Sequence, residues 1–176
     1  MNYYRNSLIL IGMPGSGKST LGLLLAKALQ KDLVDTDTLI QIRKDNTPQN
    51  ILDKQGYLGF REIEEEVLLN GHYPNHIIAT GGSAVYSEKA MHHLKQFGPI
   101  IFLDVTLPEL LNRIHNIDTR GITRQPKQTF ADLFDERRPL YEKYADVTIE
   151  CNNKTVEKII DEIIYQEGEG FAEKDA

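Results

Sequence analysis

"IGMPGSGKST", residues 11–20, decides how this chain is read. It holds Gly12, four intervening residues, then Gly17, Lys18 and Ser19, the spacing of a phosphate-binding loop. An apolar run, "SLILI", leads in, and a helical pattern, "KSTLGLLLAKALQ", leads out. Strand, glycine loop and helix in that order are the context the motif needs. Backbone N–H groups of residues 13–18 can wrap phosphate oxygens, and the helix N-terminus adds partial positive charge at the same point. The nucleotide-binding candidates are therefore Gly12, Gly15, Ser16, Gly17, Lys18, Ser19 and Thr20. Lys18 is expected to reach the β- and γ-phosphates of ATP, and the Ser19 hydroxyl to bind Mg²⁺. The competing reading is a glycine-rich turn that matches by chance.

Outward from the loop, short runs rich in Ile, Leu and Val alternate with longer helical patterns. "SLILIG", "KDLVDTD", "HIIATGG", "PIIFLDV" and "DVTIE" predict strands. "TPQNILDKQ", "GFREIEEEVLLN", "SEKAMHHLKQF", "LPELLNRIHNI", "TFADLFDERR" and "KTVEKIIDEIIYQ" predict further helices. Near-continuous apolar strands alternating with helices predict an α/β fold of three layers, α/β/α, around a five-stranded parallel sheet. Ligands on such sheets sit at the carboxyl ends of the strands. At 176 residues the chain fits one domain, expected over residues 1–167, with "EGEGFAEKDA" forming a loose tail over roughly 168–176. A net charge of -6 argues against nucleic acid as the main partner, although one cleft can still focus positive charge on a small anion. The single cysteine, Cys151, excludes an intrachain disulfide and is expected to be an inert residue near a strand end. It fits a reducing compartment, and the expected location is the cytoplasm. No apolar stretch is long enough to span a membrane, and His92-His93 reads as helix surface rather than a metal pair.

The remaining chemistry lies in a few acids and arginines. "LVDTDTLI" puts Asp35 and Asp37 at the end of the second strand, where i and i+2 face the same side. Two carboxylates near a triphosphate suit one that orients Mg²⁺ and one that takes a proton from an acceptor hydroxyl. The alternative is a helix cap, with Asp37 as the capping residue. Arg61 follows Phe60 at the edge of an apolar stripe made with Ile63 and Val67, and could be a surface residue near Glu65. Arg137 continues the apolar face of Phe130, Leu133 and Phe134, just before Pro139, which is expected to end or kink the helix. A guanidinium there needs an anion, or else its head snorkels to water. Arg113, Arg120 and Arg124 surround the polar segment "NIDTRGITRQPKQTF", read as a mobile lid over about residues 114–128 or as an ordinary surface loop. Gly81-Gly82, after the third strand, can let a ligand approach the backbone.

Taken together, "GMPGSGKST", "VDTD", "GFREIE", "TGGSAV", "RGI" and "ERRPLYEKYADVTI" resemble, in that order, the shikimate kinase family of small phosphate-loop kinases. The resemblance covers roughly residues 7–165. It implies ATP-dependent phosphorylation of a hydroxyl on a small cyclic hydroxy acid, with shikimate the leading acceptor, in aromatic amino-acid biosynthesis. It implies that Arg61 and Arg137 hold the acid's carboxylate, that Asp37 meets the ring hydroxyls and accepts the proton, and that Asp35 helps Ser19 hold magnesium. Gly81 and Gly82 would meet the acid. Arg120, with Arg124 the second choice, would complete the charge around the transferring phosphate, and Arg113 would lie on the nucleotide side. The catalytic set is then Lys18, Asp37 and Arg120, acting in a monomer. Two positions depart from the family pattern: Ser83 replaces a third glycine, and Gly121 replaces the proline after the lid arginine. Ser83 adds a hydroxyl beside the acceptor pocket, and Gly121 loosens the lid in principle. Rival readings are a kinase of another acceptor, such as gluconate or a nucleoside monophosphate, and an ATP-binding regulatory module without catalysis.

Overall fold

The computed structural model describes residues 6–115 and 121–169. Arg120 and the end of the tail, 170–176, lie outside the described residues. Strand β1 (Leu8–Ile11) is buried along its whole length, as an unbroken aliphatic run in a covered parallel sheet must be. It pairs in parallel with β3 (His76–Ala79) on one side and β4 (Ile100–Asp104) on the other. β2 (Asp32–Asp35) adds beyond β3 and β5 (Val147–Glu150) beyond β4, giving a five-stranded sheet in the order β2-β3-β1-β4-β5. All five strands expected from the sequence are present, and every pairing is parallel.

The layers follow from the handedness of the crossovers. The chain steps from β1 towards one edge to reach β2, then back through β3 and β4 to β5. Right-handed crossovers in opposite directions place their helices on opposite faces. Helix α1 (Lys18–Leu29) therefore covers one face, where α7 (Val156–Gly168) packs beside it. The other face takes α3 (Pro48–Leu69), α4 (Glu88–Lys95) and α6 (Phe130–Tyr144). The direction reverses between β1 and β3, and the carboxyl ends of these two strands open a crevice at that switch point. A smaller apolar cluster of Ile40, Ile51, Phe60, Ile63 and Val67 locks α2 (Thr36–Lys44) onto α3 and so fixes the position of Arg61. No described helix is long and apolar enough to cross a membrane.

Three local expectations change. The second strand stops at Asp35, and Asp37 lies in the first turn of α2. The cap is Asp35: its Oδ1 accepts from the backbone N–H groups of Asp37 and Thr38, at 3.1 Å each. These bonds turn the chain helical at Thr36, so the strand alternation that put both acids on one side does not reach Asp37. The segments "TPQNILDKQ" and "GFREIEEEVLLN" join into α3, broken only at Gly56, whose φ of 71° interrupts the helical geometry. Helix α6 continues through Pro139 to Tyr144 instead of ending. The proline costs that helix one backbone hydrogen bond. Arg138 compensates from the next position, pairing with Asp104 at 2.5 Å and with Glu142 at 3.1 Å.

Candidate active site

The glycine loop leaves β1 and wraps the start of α1. Gly17 caps that helix with φ 97°, and no side chain satisfies the first N–H groups. An uncapped helix start presents those donors to an anion. Gly15 sits at φ 86°, and a Cβ there would come within 2.7 Å of Ile114, so only glycine closes this turn. Lys18 is buried, and its Nζ donates to the carbonyls of Gly12 and Met13 at 2.7 and 2.9 Å. The ammonium is thus folded over the loop it is expected to serve.

Ser19 donates its hydroxyl to Asp35 Oδ2 at 2.5 Å. The hydroxyl of the loop and the carboxylate of the second strand therefore meet, as a hard oxygen pair. Asp35 caps α2 with one oxygen and faces Ser19 with the other. Among the described residues there is no group of three or more His, Cys, Asp or Glu side chains fit for a metal. The two-oxygen set fits Mg²⁺, which binds through one or two protein oxygens together with water and phosphates.

A cavity of about 290 Å³ runs from the loop to the end of β3. Gly15, Gly17, Lys18, Ser19, Thr20 and Arg113 line its phosphate-loop end. Asp37, Gly82, Ser83 and Arg137 line the other end, together with Gly121, Ile122 and Thr123 of the segment expected to be a lid. Arg113 ends α5 (Leu107–Arg113) and pairs with Glu109 of the same helix at 2.9 Å, one turn away. Arg124 donates to the Gln128 carbonyl and lines a neighbouring cavity between residues 122–129 and α3.

Arg137 is 1% exposed, which excludes snorkelling. It donates to the Thr123 carbonyl and, at 3.4 Å, from Nε to the Tyr86 hydroxyl, and no acidic side chain of the described residues pairs with it. A buried charge without a counter-ion is costly. Arg61 is no surface residue either: its guanidinium lies 3.4 Å above the Tyr86 ring and 5.1 Å from the Tyr57 ring. Glu65, its sequence neighbour, instead accepts from Ser87. Burial lowers the Arg61 pKa, Tyr86 opposes this, and the Arg137 charge lowers it further. Arg61 opens onto an adjoining cavity that shares Ser83 with the first.

Glu64 was not singled out from the sequence, yet it sits at the centre of this arrangement, 1% exposed. Ser83 donates its hydroxyl to Glu64 Oε2, which gives the departure from the family glycine a partner. Glu64 Oε1, Arg61 Nε and Arg61 Nη2 are buried and lack hydrogen-bond partners among the described residues. Gly81 carries the close approach: a Cβ there would meet Asp37 Oδ1 at 2.7 Å and Glu64 Oε1 nearer still. Burial, followed by the Asp37 carboxylate, pushes the Glu64 carboxyl up to about 7, against the pull of Ser83, Arg137 and Arg61. The signal was present: Glu64 shares the apolar face of Phe60, Ile63 and Val67, as Arg137 shares that of Leu133. Tyr141, equally buried, donates to the Gly82 carbonyl at 2.7 Å and fixes the glycine pair against α6.

The other departure also has a seat. Gly121 adopts φ 71°, and its N–H donates to Gln49 Oε1 at 3.0 Å, which ties its segment to the start of α3. Cys151 is buried just past β5, as expected.

A family profile described as shikimate kinase matches residues 14–166. A shikimate kinase from Sulfurihydrogenibium is 33% identical, over 90% of this chain and 95% of its own length. Among solved structures, the shikimate kinase of Acinetobacter baumannii in complex with shikimate superposes with a TM-score of 0.84 at 29% identity, covering 98% of this chain and 97% of that one. The shikimate kinase of Aquifex aeolicus gives 0.78 at 32% identity, over 92% of this chain and 96% of its own. The profile match over residues 14–166 and the 33% identity over 90% of the chain show that the chain belongs to the shikimate kinase family.

Proposed function

We propose that the chain transfers the γ-phosphoryl group of ATP to a ring hydroxyl of shikimate, giving shikimate 3-phosphate for aromatic amino-acid biosynthesis. The observation that carries this reading is Arg137: a fully buried guanidinium, without an acidic partner among the described residues, in the same cavity as the phosphate loop. An acceptor that brings its own carboxylate supplies the missing counter-charge. The orphaned N–H groups of Arg61, held near Arg137 through Tyr86, support the same anion from α3.

In this reading Gly12, Gly15, Ser16, Gly17, Lys18, Ser19, Thr20 and Arg113 hold the nucleotide. Ser19 and Asp35 hold Mg²⁺, which when bound shields phosphate charge. Lys18 exchanges its loop carbonyls for phosphate oxygens. Gly81 and Gly82 let the acid approach the backbone. Asp37 orients the attacking hydroxyl and takes its proton onto a carboxylate oxygen. Glu64, beside Asp37, has its carboxyl raised to about 7, so near neutrality it is only partly ionised and adds less than a full second charge next to the acid. Most of the rate then comes from positioning and electrostatics. Arg120 keeps its role at the transferring phosphate on the strength of the "RGI" motif. Residues 1–167 form one domain with 114–128 as its lid, a reading supported by Gly121, Ile122 and Thr123 lining the cavity. A monomer acting in the cytoplasm completes the reading, since an ATP-dependent reaction on a small metabolite suits that compartment.

The test is ADP release from Mg-ATP with shikimate, quinate, gluconate and AMP offered separately. A large increase with shikimate alone is expected. An equal or larger increase with gluconate or AMP moves the acceptor elsewhere. No increase with any of them, alongside tight ATP binding, favours the regulatory module.

A further inference from the structure

Tyr86 ends the single 3₁₀ turn, Ala84–Tyr86, that follows the glycine pair after β3. Its phenol touches three charged side chains from two helices. The ring face lies 3.4 Å from the Arg61 guanidinium of α3, a stacking distance. The hydroxyl oxygen accepts from Arg137 Nε of α6 at 3.4 Å, and its proton goes to the Glu136 carboxylate. Glu136 is otherwise only loosely tied to Arg61, at 3.8 Å, and accepts from Gln128 at 2.8 Å.

This arrangement answers a physical problem. Two guanidinium groups meant for one carboxylate repel each other before the acid arrives, and both are largely removed from water. Each needs a neighbour that attracts cations without being a counter-ion strong enough to replace the substrate. A phenol meets both needs. Its ring face carries negative quadrupole potential for Arg61, and its oxygen offers lone pairs to Arg137. Burial raises the phenol pKa, so Tyr86 stays neutral and leaves the positive charge for the ligand. The Nε and Nη2 of Arg61 make no hydrogen bond among the described residues, and Nη2 has only the distant Glu136 carboxylate.

We propose that Tyr86 is a positioning residue for acceptor recognition: stacked under Arg61 and hydrogen-bonded to Arg137, it sets the spacing and plane of the guanidinium pair that grips the acid's carboxylate. The inference rests on the hydroxy-acid kinase reading and adds to it a residue that touches neither nucleotide nor reacting hydroxyl. Its consequence is specific to acid binding. Tyr86→Leu removes both the ring face and the hydroxyl, and Tyr86→Phe removes the hydroxyl alone.

The experiment measures steady-state rates with each substrate varied in turn, and ATP binding separately by calorimetry, for the wild type and both variants. Tyr86→Leu is expected to raise the KM for the acid roughly thirty-fold, the scale of a desolvated cation–π contact with its hydrogen bond. Its kcat should stay within about threefold, and ATP affinity within about twofold, because the phosphate loop is untouched. Tyr86→Phe should recover most of the loss, with KM raised about threefold, since the ring remains. An unchanged acid KM in Tyr86→Leu overturns the proposal, as does an equal loss of acid and ATP binding or a fall in kcat at constant KM. Should the leucine variant fail to bind ATP through misfolding, Tyr86→Phe and Tyr86→Trp decide: Trp keeps a cation-binding face, and a loss there equal to that of a non-aromatic side chain refutes the stacking role. Wild-type turnover with the acceptor panel reads the functional assignment by itself. The variant-to-wild-type ratio, taken with whichever hydroxy acid is turned over best, reads the role of Tyr86.

Discussion

Arg137 carries its charge at 1% exposure, and the described residues give it a carbonyl and a phenol but no carboxylate. Its substitution therefore separates acid recognition from nucleotide binding. Arg137→Met keeps most of the side-chain volume in the core while removing the charge. We expect acid affinity to fall by roughly a hundredfold, the scale of a buried charge-assisted pair, with ATP affinity within about twofold. Separate titrations with acid and ATP check this, and parallel losses would show that the residue holds the whole cleft together. Its location was half legible in the sequence. An arginine on the face of Phe130 and Leu133 demands an explanation, but helical spacing cannot say whether the head turns to water or to a ligand. Tertiary packing decides that, by setting Tyr86 and Thr123 against it. Glu64 obeys the same rule and passed unnoticed because it sits within a run of three glutamates, Glu64 to Glu66, that reads as a solvated face. Only one of the three, Glu64, is on the side where Phe60 and Val67 are buried.

At the scale of elements, the strands were the most legible feature, since a covered parallel strand is apolar regardless of its neighbours. The junctions were less so. Asp35 ends β2 and starts α2 in one residue, a change of period that alternation along a strand cannot foresee. Pro139 sits inside α6 because Arg138 and Tyr141 anchor the helix on both sides of it, through Asp104 and the core. The lid segment belongs to this scale as well. Gly121 does more than add freedom: its φ of 71° seats the backbone against Gln49, and a Cβ there would lie 3.1 Å from both Gln49 N and Pro48 Cβ. Gly121→Ala should therefore unseat the lid at a cost of about 1 kcal/mol for a side chain in the left-handed region. Because Gly121 itself is only half-buried and lies outside the main apolar core, we expect kcat/KM for the acid to fall about fivefold with little change in melting temperature. A thermal melt run beside the kinetics checks this. A large drop in melting temperature with unchanged kinetics would place Gly121 in the scaffold instead.

The whole molecule registers the buried site through its stability. Glu64 is the carboxyl on which this is clearest, held between Asp37 on α2, Ser83 at the end of β3, Arg61 on its own helix, and Arg137 on α6. Its folded value of about 7 stands above the 4.5 of an ordinary glutamate, with burial the leading cause and the Asp37 charge the second. Between those values the folded chain keeps a proton that the unfolded chain releases. Stability contributed by the neutral carboxyl is therefore complete below pH 4.5 and is lost as the pH rises through 7. The full difference corresponds to about 3 kcal/mol, or very roughly 6–12 °C in melting temperature for a chain of this size. Glu64→Gln keeps the shape and cannot ionise, so it escapes the loss. Its melting temperature relative to wild type should climb steadily between pH 5 and pH 8, in the absence of acid and nucleotide, and level off above. The difference between the two proteins cancels the titrating groups that are not coupled to Glu64. A relative melting temperature that stays flat across this range would mean that Glu64 is already ionised at pH 5, compensated by Arg61 and Arg137. The site would then enter catalysis with two carboxylates, Glu64 and Asp37, beside the incoming hydroxyl in place of one.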